Sequence, residues 1–440
     1  MATIRPFKGI RYNSGRVDDL SSVISQPYDR VRHGLQDKYY EQSDYTVVKI
    51  IKGREFEGDN DDDNVYTRAR DFLSAWLDEG VMMREDRPAI YVLHQVFTLP
   101  SGQQYTRKTL VAALELTTFD EGVVLPHERT LSGPKMDRLN LTRAAESYFG
   151  NIFMLYPDDE NRVNAILDRA VADATPMVMR ELFESDVEQR LWVVTDPDVL
   201  AQVQTEMAPK VNLIIADGHH RYETAINYRD EMRAKHPDAP ANAGFNHCMV
   251  ALVSMSDPGL VILPTHRLVH SYTAKTSKQV IEDAQAYFEV QSVPDRAALE
   301  AALVEATPSE PRIGFYDGDY TVFTLKSPEV MVQIAPSRDP AWRLLDVSIL
   351  HEVLIERVMG LSKASVECKE NIEYLRDVEM GYEAVDKGEA DFLFVMNPTR
   401  MDEVRSCTAA DEKMPQKSTD FYPKIVSGLV ALAIGPDERL

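Results

Sequence analysis

The run Val211-Asn212-Leu213-Ile214-Ile215 is apolar and of strand length, and Tyr222, Ala225 and Ile226 recur at helical spacing directly after it. The pattern predicts a buried strand, a turn, and a helix that begins near Gly218. A second helix is expected over Val65 to Glu79, where Tyr66, Ala69, Phe72, Leu73 and Trp76 share one face and Gly80 ends the pattern. Two strand-like runs, Ala89 to Leu99 and Tyr105 to Leu116, flank Pro100-Ser101-Gly102 as a hairpin. Further strands are expected at Leu191 to Val194, Cys248 to Ser254, Leu260 to Leu263, Arg312 to Tyr316, Tyr320 to Leu325, Val330 to Ile334 and Asp391 to Met396. Asp346 is placed as the cap of a helix running to Met359, with Gly360 as its terminator. Helices and strands alternate throughout, which gives an α/β (α+β) class. The character of the chain shifts near Ser271, so residues 1–270 and 271–440 are expected as two domains.

Composition narrows the partners more than the fold. The chain has 48 basic and 71 acidic residues in 440, a formal charge of −23. Such a surface repels DNA, RNA and anionic lipid, so neither nucleic acid nor membrane is an expected partner. An anionic small molecule stays compatible, because a local basic pocket can oppose the global field. No run has the length of a signal peptide or of a membrane span, and a cytoplasmic protein is expected. Cys248, Cys368 and Cys407 lack the paired spacing of a zinc site or a disulfide framework and read as reduced, mostly structural thiols.

Four clusters carry chemistry. In ADGHHRYETA, Asp217, Gly218, His219, His220 and Arg221 fall at the strand-to-helix turn, where free amide groups and the helix dipole favour an anion. Arg221 adds a fork suited to phosphate or carboxylate, and both histidines exchange protons near neutral pH. A plain capping role for Asp217 is the alternative. In LPHERTLSGPKMDRL, His127, Glu128, Thr130, Lys135, Asp137 and Arg138 gather around Gly133-Pro134, a turn expected to keep the segment irregular. Glu128 is the best general base in the chain, provided its environment and geometry suit proton transfer, and Lys135 or Arg138 would neutralise a phosphate. The third cluster is Pro264-Thr265-His266-Arg267. The fourth, MPQKSTDFYPK, offers Lys417, Ser418 and Thr419 as an anion nest, without the glycine spacing of a P-loop.

Several templates fail. GxxxxGK[ST], GxGxxG and HExxH are missing, and His351-Glu352 reads as a surface pair. The acidic run Arg54 to Asn64 departs from the EF-hand pattern, with Asn64 in the glycine position and Arg70 in that of the bidentate glutamate. It reads as a solvated loop. In the opening segment Arg5, Lys8 and Arg11 form a basic cluster, and Gln26-Pro27-Tyr28-Asp29 reads as a turn that either lines a site or belongs to a structured arm.

Taken in order, RPFKGIRYN, QPYD, PHERTLSGPKMDRL, ADGHHRYETA, PTHRL and MPQKSTDFYPKIVSGL resemble the signature segments of the "domain of unknown function 1015" family across nearly the whole chain. That family is similar to the ParB/sulfiredoxin-like superfamily, some branches of which phosphorylate free L-serine with ATP or ADP. The resemblance implies a ParB/sulfiredoxin-like core with an N-terminal elaboration in residues 1–270 and a C-terminal α+β domain that contributes the MPQKST segment. It implies a small-molecule kinase that places Gly218, His219, His220 and Arg221 on nucleotide phosphates, with Lys135 and Arg138 in support. Glu128, following His127, matches the glutamate that serves as base in the free-serine kinases. Asp217 would hold Mg²⁺ or orient a histidine, with His220 beside it as a catalytic candidate. His127, Thr130, His266, Arg267, Lys417, Ser418 and Thr419 are the candidates for binding the acceptor.

The donor (ATP, ADP or pyrophosphate), the acceptor and a homodimer stay open at this point. Two other readings do too. One is a nucleotide-sensing regulator with a ParB-like domain; the other is a metal-dependent hydrolase built on Asp217, His219, His220 and His266.

Overall fold

Asn64 ends the acidic loop by accepting hydrogen bonds from the amides of Tyr66 and Thr67, while the Thr67 hydroxyl accepts from the Asn64 amide. This capping box starts α1 (Val65–Asp78), which buries Ala69, Leu73 and Trp76. Arg68 of this helix pairs with Asp59 and Asp63 of the acidic loop. In the computed structural model, which describes residues 1–128, 135–183 and 186–440, the chain forms two compact units. The first comprises Met1–Pro126, Thr130–Val261 and Pro423–Leu440; the second comprises His127–Arg129 and Ile262–Tyr422. The division falls at 261/262, nine residues before the expected one, and the last eighteen residues return to the first unit.

The first unit is built on a mixed sheet of β1 (Ile4–Arg5), β2 (Ile90–Thr98), β3 (Gln104–Glu115), β4 (Val124–Pro126), β5 (Ile152–Tyr156), β6 (Met177–Arg180), β7 (Glu188–Val194), β8 (Leu213–Asp217) and β9 (His247–Ser254). Their spatial order is β4-β8-β5-β9-β3-β2-β7-β6, with β1 on the end of β3. The β8–β4 and β9–β5 pairs are parallel and the rest antiparallel. The hairpin around Pro100-Ser101-Gly102 forms as expected, with Thr98 opposite Gln104. Every residue of β9 is buried, as a central strand covered on both faces requires. One core cluster unites Val92, Leu110, Met154, Ile215, Val250 and Leu252, and another surrounds Trp76.

The second unit holds an antiparallel sheet of β10 (His266–Val269), β11 (Phe288–Val293), β12 (Arg312–Tyr316), β13 (Tyr320–Leu325), β14 (Ile372–Leu375) and β15 (Phe392–Val395), in the order β11-β13-β12-β15-β10-β14. Mixed α/β architecture therefore describes the chain.

Four local expectations are corrected. The strand ending in Ile214-Ile215 begins only at Leu213, because Asn212 takes φ of 59° and Val211 is exposed, and it continues to Asp217. Val330–Ile334 is not a strand but part of a helix, Glu329–Ile334, which Pro328 enters in helical backbone; Met331 is buried and Val332 exposed. A single inward side chain suits one helical turn, whereas a half-buried strand would alternate. Asp346 does not cap its helix. It is the first helical residue of Asp346–Ile349, behind an extended Leu345, and the helix continues as a π-helix over Leu350–Val358 before Gly360 at φ 79°. Lastly, Lys135, Asp137 and Arg138 do not lie in an irregular segment. They open α2 (Lys135–Ala145), whose buried Arg138, Leu139, Leu141, Thr142 and Ala145 follow helical spacing.

Candidate functional site

Within the first unit, β8 delivers Asp217 to the sheet end and Gly218 turns the chain into α3 (His219–Lys235). Gly218 has φ of 94°, a left-handed conformation that glycine adopts without strain. A side chain there would also collide with Arg221, since a Cβ would lie 2.9 Å from its Nε. Gly150 also borders this guanidinium, since a Cβ there would lie 3.2 Å from Nη1. The two glycines leave a slot that the guanidinium fills.

Asp217 is the electrostatic centre of this turn. Its Oδ2 accepts from Arg221 Nη2, and its Oδ1 lies 3.5 Å from Lys424 Nζ. Burial opposes its charge, but Lys424, Arg221, His219 and Arg30 outweigh that and hold the carboxyl well below the usual carboxylate range. Asp217 thus stays ionised. Arg221 also donates to the carbonyl of Asn151. The first amides of α3 have no carbonyl one turn back to bond, so the helix start remains an anion-favouring end.

Three expected segments meet around a cavity of about 60 Å³ in this unit, bordered by Pro27, Tyr28, Arg138, Phe149, Gly150 and Arg221. The QPYD turn therefore lines a cavity. Arg138 stacks on Tyr28, its guanidinium 4.1 Å from the ring centroid, donates to the Ile51 carbonyl at 2.8 Å, and pairs with Asp137 at 2.6 Å. Lys135 pairs with Glu223 at 2.8 Å, and His220 Nδ1 lies 3.8 Å from the same carboxylate oxygen.

In the second unit, two segments nearly three hundred residues apart in sequence come together. The Met414 amide donates to the His127 carbonyl at 2.8 Å, and Met414 bridges to Glu128 in parallel register. Glu128 Oε1 accepts from both the amide and the hydroxyl of Thr419, each at 3.2 Å. His127, 1% exposed, places Nε2 2.7 Å from the same hydroxyl and 3.4 Å from Glu128 Oε1. Ser418 does not offer its hydroxyl outward; it donates to the Pro415 carbonyl at 2.6 Å. Lys417 takes φ of 58°, and its carbonyl accepts from Arg267 at 3.0 Å. Thr130 lies outside the described residues.

His266 and Arg267 are interior residues of β10. His266 Nδ1 accepts the Met396 amide at 3.1 Å, and burial lowers the imidazole to about 4. Arg267, 2% exposed, also donates to the Thr265 carbonyl and lies 5.1 Å from the Tyr374 ring centroid. Burial lowers its guanidinium to about 10, against the favourable charges of Tyr374 and Glu128. His351 is not part of a surface pair: it sits 3.5 Å from Arg267, and burial, then Arg267, lower it to about 3. Glu352 alone keeps a surface role, pairing with Lys363 at 3.0 Å.

Metal chemistry finds little support. Asp217, the expected Mg²⁺ ligand, faces Arg221 and Lys424, a setting that disfavours a divalent cation. Among the described residues no group of three or more His, Cys, Asp or Glu side chains is arranged to hold a metal ion. These residues do not fit a resident Mg²⁺, and His266, one ligand of the hydrolase reading, already uses Nδ1 on a backbone amide. Among the described residues no helix is long and apolar enough to cross a membrane. Sequence reasoning missed Lys424 and Arg30 as partners of Asp217. Arg30 follows QPYD directly, and Lys424 is the last residue of MPQKSTDFYPK, a segment already singled out.

The family signature described as "Protein of unknown function (DUF1015)" matches residues 4–348. No curated protein matches the chain. Solved structures similar to it include a conserved hypothetical protein from Pyrococcus furiosus, at 14% identity over 69% of this chain and 89% of that chain with a TM-score of 0.34. A free serine kinase in complex with AMP is similar at 12% identity, over 72% of this chain and 90% of that one, TM-score 0.34. C-terminally truncated SbnI from Staphylococcus aureus is similar at 10% identity, over 74% and 90%, TM-score 0.36.

Proposed function

We propose that this chain, which belongs to the DUF1015 family of proteins of unknown function, is a small-molecule kinase that transfers a phosphoryl group from ATP or ADP to the hydroxyl of free L-serine or a similar small hydroxy compound. The observation that carries the reading is the turn at Asp217–Arg221. An ionised carboxylate stands at a helix start inside a set of cations that exceeds its own charge, beside a cavity bordered by Arg138 and Arg221. Such a set answers a polyanion: the phosphates would draw on Arg221, Lys424 and the amides of α3, with Gly218 making room for the Arg221 guanidinium at the helix start. His219, His220, Lys135 and Arg138 support the phosphates on this reading.

Phosphoryl transfer asks the protein mainly for positioning and charge neutralisation. Glu128 takes the acceptor's proton. Asp217 orients the cation set, and Mg²⁺ enters as part of the nucleotide substrate. The reading takes the first unit as a ParB/sulfiredoxin-like core, supported by the strand–turn–helix of β8 and α3. The reading takes residues 1–270 and 271–440 as its functional division, with the C-terminal part contributing the MPQKST segment. A cytoplasmic, soluble setting accompanies it.

The test is to incubate the purified chain with serine, Mg²⁺ and ATP, ADP or pyrophosphate in turn, and to look for O-phosphoserine. Product with a nucleoside phosphate is the expected result. No product from any donor, with serine or a panel of small hydroxy compounds, overturns the kinase reading; tight nucleotide binding without turnover favours a nucleotide-sensing regulator.

A further inference from the structure

A threonine hydroxyl has a single proton, and the hydroxyl of Thr419 faces two partners, Glu128 Oε1 at 3.2 Å and His127 Nε2 at 2.7 Å. An ionised carboxylate only accepts hydrogen bonds. If the Thr419 proton pointed to His127, two lone-pair-bearing oxygens would face each other at 3.2 Å without a proton between them. The consistent arrangement runs one way: His127 Nε2–H donates to Thr419, and Thr419 donates to Glu128. The 3.4 Å separation of His127 Nε2 from Glu128 Oε1 agrees, since a protonated Nε2 is attracted to both oxygens. The Thr419 amide adds a second donor to the same oxygen.

The arrangement is held from behind. His127 is buried, edge-on to Phe421 with ring centroids 5.9 Å apart, and its carbonyl is fixed by the Met414 amide. The chain before Thr419 is anchored at Lys417 by Arg267 and at Ser418 by the Thr399 hydroxyl, 2.7 Å from the Ser418 carbonyl. We infer that Thr419 and His127 are not acceptor-binding residues but positioning residues, which fix the Glu128 carboxylate through a directed His127-to-Thr419-to-Glu128 hydrogen-bond chain. This rests on the assignment of Glu128 as the base. With one oxygen fixed by two donors, the carboxylate loses rotational freedom, and orientation of a reacting group is worth much of a proton-transfer rate.

Two measurements test it. In the full-length, ¹⁵N-histidine-labelled protein, with the His127 signal assigned by its loss in His127→Gln, Nε2 is expected to carry a proton. A bare Nε2 with the proton on Nδ1 overturns the inference, whatever the activity. In kinetics, Thr419→Val is expected to lower kcat roughly 10- to 100-fold while KM for both substrates changes less than about threefold, and Thr419→Ser to restore most of the rate. A Thr419→Val enzyme with wild-type kcat, or one impaired only through KM, overturns the positioning role and leaves the kinase reading intact. A wild type that makes no product overturns the kinase reading instead, and the tautomer then decides whether the hydrogen-bond chain exists.

Discussion

Arg221 holds two jobs with one side chain, pairing with Asp217 and donating to the Asn151 carbonyl, in a slot that Gly150 and Gly218 keep open. Replacing it with Met removes a charge that both Asp217 and bound phosphate would use. Nucleotide affinity is expected to fall at least tenfold, the scale of one charge-assisted hydrogen bond; calorimetric titration with ADP checks this, and an unchanged affinity argues against phosphate at the start of α3. Glu128→Gln keeps the shape of the side chain and one acceptor oxygen but not the base. Turnover is expected to fall about 10²- to 10⁴-fold with ADP affinity within about twofold, and wild-type turnover would exclude Glu128 from proton transfer. At this scale the sequence revealed residue types better than their roles. The DGHHR turn was legible because strand, glycine and helix follow one another locally. Lys424 and Arg30 were not, because their approach to Asp217 depends on long-range packing. His351 looked solvated beside Glu352, yet it faces Arg267, and no local pattern marks which side of a helix meets a buried strand.

Elements were legible where one periodicity dominates. The helix at Val65–Asp78 has both a continuous apolar face and a capping box, so pattern and end signal agree. Asn64→Ala removes the acceptor for the Tyr66 and Thr67 amides and is expected to cost about 1 kcal/mol, read from denaturant midpoints. Val330–Ile334 misled because a short apolar run fits a strand as well as one helical turn, and Pro328 decides for the turn. The Asp346 helix misled differently: an aspartate before an apolar run resembles a cap, but here the residue is already helical. The β8–α3 junction offers the sharpest test of an element boundary. Gly218→Ala forces a Cβ into left-handed backbone and against the Arg221 guanidinium. A loss of about 1–3 kcal/mol is expected, together with weaker ADP binding, whereas unchanged stability would mean that the turn relaxes into another conformation.

Across the whole molecule, a formal charge of −23 coexists with a local cation set at Asp217, where a phosphate is proposed to sit. The carboxyl groups of Asp217 and Asp346 respond to pH in opposite directions. Asp217 is held below its unfolded value, so its contribution is present above the unfolded range and is lost as pH falls into strong acid. Asp346, in the second unit, is raised to about 7 by burial and then by the nearby Glu403, against Asn397 and Arg400. A raised carboxyl binds its proton more tightly in the native state than in the unfolded chain. Its stabilising contribution is therefore complete below about pH 4, the unfolded value, and declines as pH rises through about 7. Asparagine mimics the protonated form at every pH. Between pH 5 and pH 8, Asp346→Asn is expected to gain on the wild type by on the order of 2 kcal/mol, because over that range the native wild type gives up its proton and comes to carry a poorly solvated charge. Thermal scans of both proteins at the two pH values decide the matter. An equal difference at pH 5 and pH 8 would show that the Asp346 carboxyl does not titrate between them, and would place the alkaline loss of stability elsewhere in the molecule.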